Sequence, residues 1–251
     1  MFIYFLAAPL LTYSWLLILA ATIPAIILMV KVYQSDRLEP ESPALLWKMI
    51  TGGFLAAIVA GLIEAATTGI LSQFMPSTSL AYKLILYFGI VAFSEEGMKY
   101  YFLQKRSWYS PEFNCQYDGV VYAVFVALGF ALFENISYVF SYGFSTALIR
   151  AVTAIPGHAA FGVFMGVFYG QARGHSYLGN TIKTKSYQVL AVLMPALVHG
   201  SYDYVATLDS LKGQLIFLIF IVLLFAVAFR LVNVLAKNDR YFNIVRRRMR
   251  H

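Results

Sequence analysis

Residues 80–106 read LAYKLILYFGIVAFSEEGMKYYFLQKR. The run is long and apolar enough to cross a bilayer, which takes about 20 helical residues, yet its middle holds Glu95, Glu96 and Lys99. A charge at the centre of a membrane helix costs about 2.5–3.5 kcal/mol even on mild insertion scales, so such a cluster marks function.

Similar apolar stretches flank it. Seven qualify as spans, roughly 10–31, 45–71, 80–104, 118–142, 145–172, 187–207 and 213–236. The sequence therefore predicts an all-α, polytopic transmembrane helix bundle of about seven spans. Of the 251 residues, 60% are hydrophobic and 12% charged, half the charged share of an ordinary soluble domain, about 25%. No polar block long enough to fold by itself interrupts the spans, so 1–251 reads as one integral membrane domain with a basic cytoplasmic tail, 237–251. The first basic residue is Lys31, so the N-terminal stretch lacks the positive start of a signal peptide and reads as a span.

Cytoplasmic loops concentrate Lys and Arg. Lys31 and Arg37, then Lys105 and Arg106, then Arg173, Lys183 and Lys185, and finally Arg246, Arg247, Arg248 and Arg250 all fall on one side. Lys83 and Lys212 lie near the opposite ends, which gives an N-out, C-in chain. The tail supplies much of the net charge of +7 and suits anionic lipid, at about 1 kcal/mol per basic residue, rather than nucleic acid. The loop SDRLEPESP (35–43) reads as an irregular cytoplasmic connector, and Trp108 and Tyr109 as headgroup-level residues. Cys115 has no partner for a disulfide or a metal motif.

Further ionisable groups sit inside the spans: Glu64 in the second, Glu134 in the fourth, His158 in the fifth, His199 and Asp203 in the sixth. Counted at about 1.5 Å per residue, Glu95, Glu134, His158 and His199 share a level near the midplane, as one common site requires. Lys99 is within pairing reach of both Glu95 and Glu96, so one carboxylate can be held ionised while the other serves as general base or acid. His199 and Asp203, four apart, share a helix face. Glu134 and Asn135 can polarise a carbonyl or position water, with inter-helix hydrogen bonding the structural alternative for Asn135. His158 opens a row with Gly162, Gly166 and Gly170 that lets helices approach closely. Arg150 and Asp118, near span ends, read as snorkelling to water, and Glu64 as either an added acid or the partner of a base.

The motifs EEGMK (95–99), FALFEN (130–135), PGHAAFG (156–162) and HGSYD (199–203), in this order on successive spans, resemble the PrsW family of bacterial intramembrane proteases, distant relatives of the membrane CAAX-processing endopeptidases. DRLEPES (36–42) is similar to that family's acidic loop, and the resemblance runs from about Asp36 to Asp203. It implies a multi-pass enzyme of the bacterial cytoplasmic (inner) membrane. Such an enzyme cuts single-span proteins, typically an anti-sigma factor, in regulated proteolysis. It also implies that Glu95 or Glu96 activates water, that His158 and His199 assist or bind the oxyanion, and that Asn135 donates to it.

Peptide hydrolysis needs an activated water, an oxyanion donor and a proton for the leaving amine, all of which carboxylates and histidines supply. The expectation is a glutamate-type site, Glu95, Glu96, Lys99, Glu134, Asn135, His158, His199 and Asp203, with no cofactor. The chemical alternative is zinc on His158, His199 and Asp203, although no H-E-x-x-H motif is present. From other classes, a proton-coupled transporter would also use midplane acids and histidines, and a non-catalytic scaffold would tolerate their neutralisation. Water should enter a cavity between spans three to six, with span seven peripheral.

Overall fold

The structure, a computed structural model, describes residues 2–242. Met1 and residues 243–251, which include Arg246, Arg247, Arg248 and Arg250 of the basic tail, lie outside the described residues. Helices α1 (Phe2–Ser35), α2 (Pro43–Phe74) and α3 (Leu80–Leu84) come first. A π-helical stretch, Ile85–Ala92, follows and leads into α4 (Phe93–Ser107). Then come α5 (Gln116–Tyr142), α6 (Phe144–Val152), α7 (Ala154–Tyr177), α8 (Thr181–Ala206) and α9 (Leu211–Asn238).

Starts are written into the sequence. Ser42, Ser79, Asn180 and Ser210 each cap a helix through the side chain, with Pro43 in the first turn of α2, satisfying backbone N–H groups that have no intrahelical partner. Among the described residues, five segments are long and apolar enough to cross a membrane: Pro43–Phe74, Gln116–Tyr142, Phe144–Tyr177, Thr181–Ala206 and Leu211–Asn238. They match predicted spans two and four to seven. The first predicted span lies within α1. The third is helical from Leu80 to Ser107 in three windings, and its π-helical turn immediately precedes Glu95, the kind of place where π winding often marks a functional site.

Span five departs from expectation. Its helix breaks at Thr153, which leaves α6 as a short separate helix after Gly143, whose φ of 84° only glycine adopts freely. Arg150, read as snorkelling to water, instead turns its guanidinium to Glu134 and Asn135 of α5.

The centre of the bundle is α5, buried along most of its length from Tyr117 to Leu132. It packs on α7 and α2. Gly162, Gly166 and Gly170 face α5 as their spacing predicts, and a Cβ at Gly166 would overlap Val120. On the other side Gly53 and Gly129 bring α2 and α5 into backbone contact. Helix α9 packs on α7 and α8 and leaves Ile219, Val222, Leu223 and Phe229 exposed, as a helix at the lipid boundary should.

At the end where the basic loops gather, the acidic connector is more than a solvated loop. Glu41 is buried and accepts from the Tyr122 hydroxyl, while Ser42 donates to Glu112 from its backbone N–H at 2.8 Å and from its hydroxyl at 3.0 Å. Asp118, read as snorkelling, is buried instead and caps α5 by accepting from the N–H groups of Asn114 (2.8 Å) and Cys115 (2.6 Å). Asp239, just past α9, accepts from Gln116 and Tyr117 of the same turn. Burial, then the nearby acids, push the Cys115 thiol up, which makes it an inert packing residue.

Candidate active site

Lys99 organises the site. It is fully buried, one turn along α4 from the glutamates, and its Nζ donates to Glu96 Oε1 at 2.7 Å and to Glu95 Oε2 at 3.0 Å. The third contact is His158 Nδ1 at 3.1 Å, and the ring of Phe130 lies 4.0 Å below the ammonium. An ammonium has only donors, so His158 Nδ1 accepts and the ring proton sits on Nε2, which points at Glu134 Oε2 at 2.8 Å.

His199 Nδ1 lies 2.9 Å from Glu96 Oε1. Its Nε2 faces Asp203 Oδ2 at 3.4 Å, so the four-residue spacing does place the carboxylate on the ring. Phe161 stacks on His199 with centroids 4.5 Å apart and fixes the ring plane. Side chains from α4, α5, α7 and α8 thus meet in one place.

Arg150 of α6 and Asn135 of α5 join this network. Arg150 pairs with Glu134 Oε2 through Nη2 at 2.9 Å and donates from Nε to Asn135 Oδ1 at 2.8 Å. Asn135 is fully buried and absent from the cavity wall. Its side chain accepts from Arg150 of α6, which also pairs with Glu134, an inter-helix hydrogen bond of the kind its sequence left open.

A cavity of about 510 Å³ opens beside these groups. Its wall includes Glu95, Glu134, His158, His199 and Asp203 of the expected set, and also Glu64, Arg150 and three tyrosines, Tyr87, Tyr138 and Tyr202. Glu96 and Lys99 stand behind the wall. Helix α2 joins the expected spans in lining it, through Ala57, Gly61 and Glu64, whereas α9 contributes nothing.

Residues 41–231 match the family model described as PrsW family intramembrane metalloprotease. The chain belongs to the PrsW family of intramembrane proteases. Among curated relatives, Protease PrsW of Clostridioides difficile is 30% identical over 232 residues, 90% of this chain and 92% of that protein. Protease PrsW of Oceanobacillus iheyensis is 35% identical over 214 residues, 83% and 91% of the two chains. Protease PrsW of Geobacillus kaustophilus is 31% identical over 75% of this chain and 78% of its own. No solved structure matches. This PrsW-family chain is therefore a multi-pass membrane protein of an intramembrane protease family.

The family description includes a metal, for which carboxylates and imidazoles of this site are possible donors. In this PrsW-family chain the site's three-donor cluster is Glu95, Glu96 and His158, whose ligand atoms lie within 4.8 Å of one another, rather than the expected alternative of His158, His199 and Asp203. Carboxylate and imidazole suit zinc. However, Lys99 Nζ already lies 2.7–3.1 Å from one donor atom of each of these residues: Glu95 Oε2, Glu96 Oε1 and His158 Nδ1. An ion held about 2.0–2.2 Å from those atoms would crowd a like-charged ammonium, so this cluster fits a metal only with Lys99 displaced.

Proposed function

We propose that this PrsW-family protein hydrolyses peptide bonds of single-span membrane proteins with water activated by Glu95. One observation chiefly supports Glu95 over its neighbour: Glu95 lines the cavity, while Glu96 is fully enclosed and shared between Lys99 and His199. A carboxylate that must receive a proton from water has to reach that water.

Glu95 takes one proton as the water oxygen bonds to the scissile carbonyl carbon, and the carbonyl oxygen becomes the oxyanion. His199 Nε2 stands at the cavity with only a 3.4 Å contact to Asp203, so it can turn its donation to that oxyanion. The C–N bond then breaks as Glu95 returns the proton to the leaving amine. Lys99 balances the two glutamates throughout, and the Glu134–Arg150 pair fixes His158. Substrates would be anti-sigma factors or similar proteins of the bacterial cytoplasmic membrane, with the basic tail on anionic lipid.

The test is cleavage of a panel of single-span membrane proteins by purified protein in detergent, followed on gels. Wild type is compared with Glu95→Gln, Glu96→Gln and His199→Ala, each with and without a zinc chelator. Loss in Glu95→Gln by about 10²–10⁴-fold, with chelator-resistant wild-type cleavage, is expected. Chelator sensitivity reversed by zinc would replace the glutamate mechanism with a metal one. Cleavage surviving all three substitutions would remove the site assignment.

A further inference from the structure

We propose that Glu64 binds substrate, accepting a hydrogen bond from a backbone N–H of the peptide held in the cavity. The inference rests on reading that cavity as the peptide-binding site.

Ala57, Gly61 and Glu64, spaced i, i+4 and i+7, form one face of α2, and all three line the cavity. A Cβ at Gly61 would meet nothing within 4 Å, so the wall beside Glu64 is open space. Glu64 Oε1 is buried and has no hydrogen-bond partner among the described residues. Other orphaned buried atoms belong to Asp36, Glu96, Tyr100, His175 and Asp239, none of which lines this cavity. Buried polar atoms nearly always find partners, and one without a partner bears its full desolvation cost.

The charged donors of the site already have partners, while the cavity wall also carries the hydroxyls of Tyr87, Tyr138 and Tyr202. Lys99 serves Glu95, Glu96 and His158, and Arg150 serves Glu134 and Asn135. The nitrogens of His158 and His199 face Lys99, Glu134, Glu96 and Asp203. A bound peptide would bring donors of its own to the face that Glu64 presents to the cavity. A membrane helix must unwind locally before its peptide bond can be attacked, and each N–H freed in a water-poor site then needs an acceptor. Backbone N–H groups are also the donors every peptide brings whatever its sequence. Glu64 would hold the strand while Glu95 attacks it.

The probe is a synthetic transmembrane peptide carrying a single-span protein's cleaved sequence, assayed with wild type, Glu64→Ala and Glu64→Gln. Glu64→Ala should raise KM about tenfold with kcat within about twofold, and Glu64→Gln, which keeps an acceptor oxygen, should restore most of the loss. Replacing single backbone N–H groups by ester oxygens should weaken the wild type at one position. The same replacement should change nothing further in Glu64→Ala. Binding of the labelled peptide, read by fluorescence anisotropy, reports the same contrast without turnover. An unchanged KM and affinity in Glu64→Ala, or ester effects identical in both proteins, would overturn the proposal. If Glu95→Gln cleaves normally while the Glu64 contrasts stand, the water-activation assignment falls and the binding role remains.

Discussion

Removing the Lys99 ammonium would leave Glu95 and Glu96 side by side in the protein interior, with Glu96 Oε1 reduced to its His199 contact. Taking one partner from a buried ion pair costs about 3–5 kcal/mol, because an uncompensated charge stays behind. Lys99→Met should accordingly lower the thermal midpoint in detergent sharply, and adding Glu96→Gln should recover part of that loss. A Lys99→Met protein as stable as wild type would show that the ammonium does not carry this balance. At the opposite end, burial, opposed by the Tyr122 hydrogen bond and reinforced by Asp118, Glu112 and Asp36, raises the Glu41 carboxyl from 4.5 to about 9. Between those values the folded protein keeps a proton that the unfolded chain releases, so stability falls as pH rises through the window. Glu41→Gln keeps an acceptor for Tyr122 and should flatten the decline in melting temperature from pH 5 to pH 9; an equal slope in both proteins would count against Glu41 as its source.

At the scale of elements, α2 borders the cavity with residues too small to fill it. Gly61→Leu places a side chain where a Cβ has no neighbour within 4 Å and relieves a helix-interior glycine, worth about 0.8–1.0 kcal/mol. It should keep or raise the melting temperature while cleavage falls at least tenfold; undiminished cleavage would place the substrate elsewhere. Spans two and four to seven were legible because apolarity and length belong to each segment by itself, and the glycine row because close packing leaves a four-residue repeat. The motif glutamates and histidines were legible because charge in an apolar run has few other uses. Arg150 was not, since its place depends on the break at Thr153, which Pro156 three residues on signals but which apolarity and length do not register. Glu64 and Asn135 stayed ambiguous for a related reason: which neighbour meets an amide or a carboxyl is set by helix rotation, not by spacing along one chain. The buried connector at Glu41 escaped because an acidic, proline-containing loop looks the same whether solvated or docked.

Across the whole molecule, helix directions say which end of the bundle the cavity reaches. Its wall takes Glu64 from the later half of α2, Phe130 to Tyr138 from the later half of α5 and His199 to Thr207 from the end of α8. It also takes Tyr87 and Val91 from the early part of the third rod and Ala154 from the start of α7. All of these lie from the middle of the bundle toward one end, opposite Lys105, Arg106 and Arg173. If the basic loops face the cytoplasm, water and substrate enter from the outer side. A cysteine at Ser137 or Thr207, both on the cavity wall, should then react with a membrane-impermeant thiol reagent applied to intact cells. Cys115, the only native cysteine, is buried and its thiol is pushed up, so it should stay silent and need no replacement. Labelling of the introduced cysteines only after the cytoplasmic face is exposed would invert the topology. The acidic connector and the Glu41 cluster would then face outward, and the cavity would admit substrates from the cytoplasm.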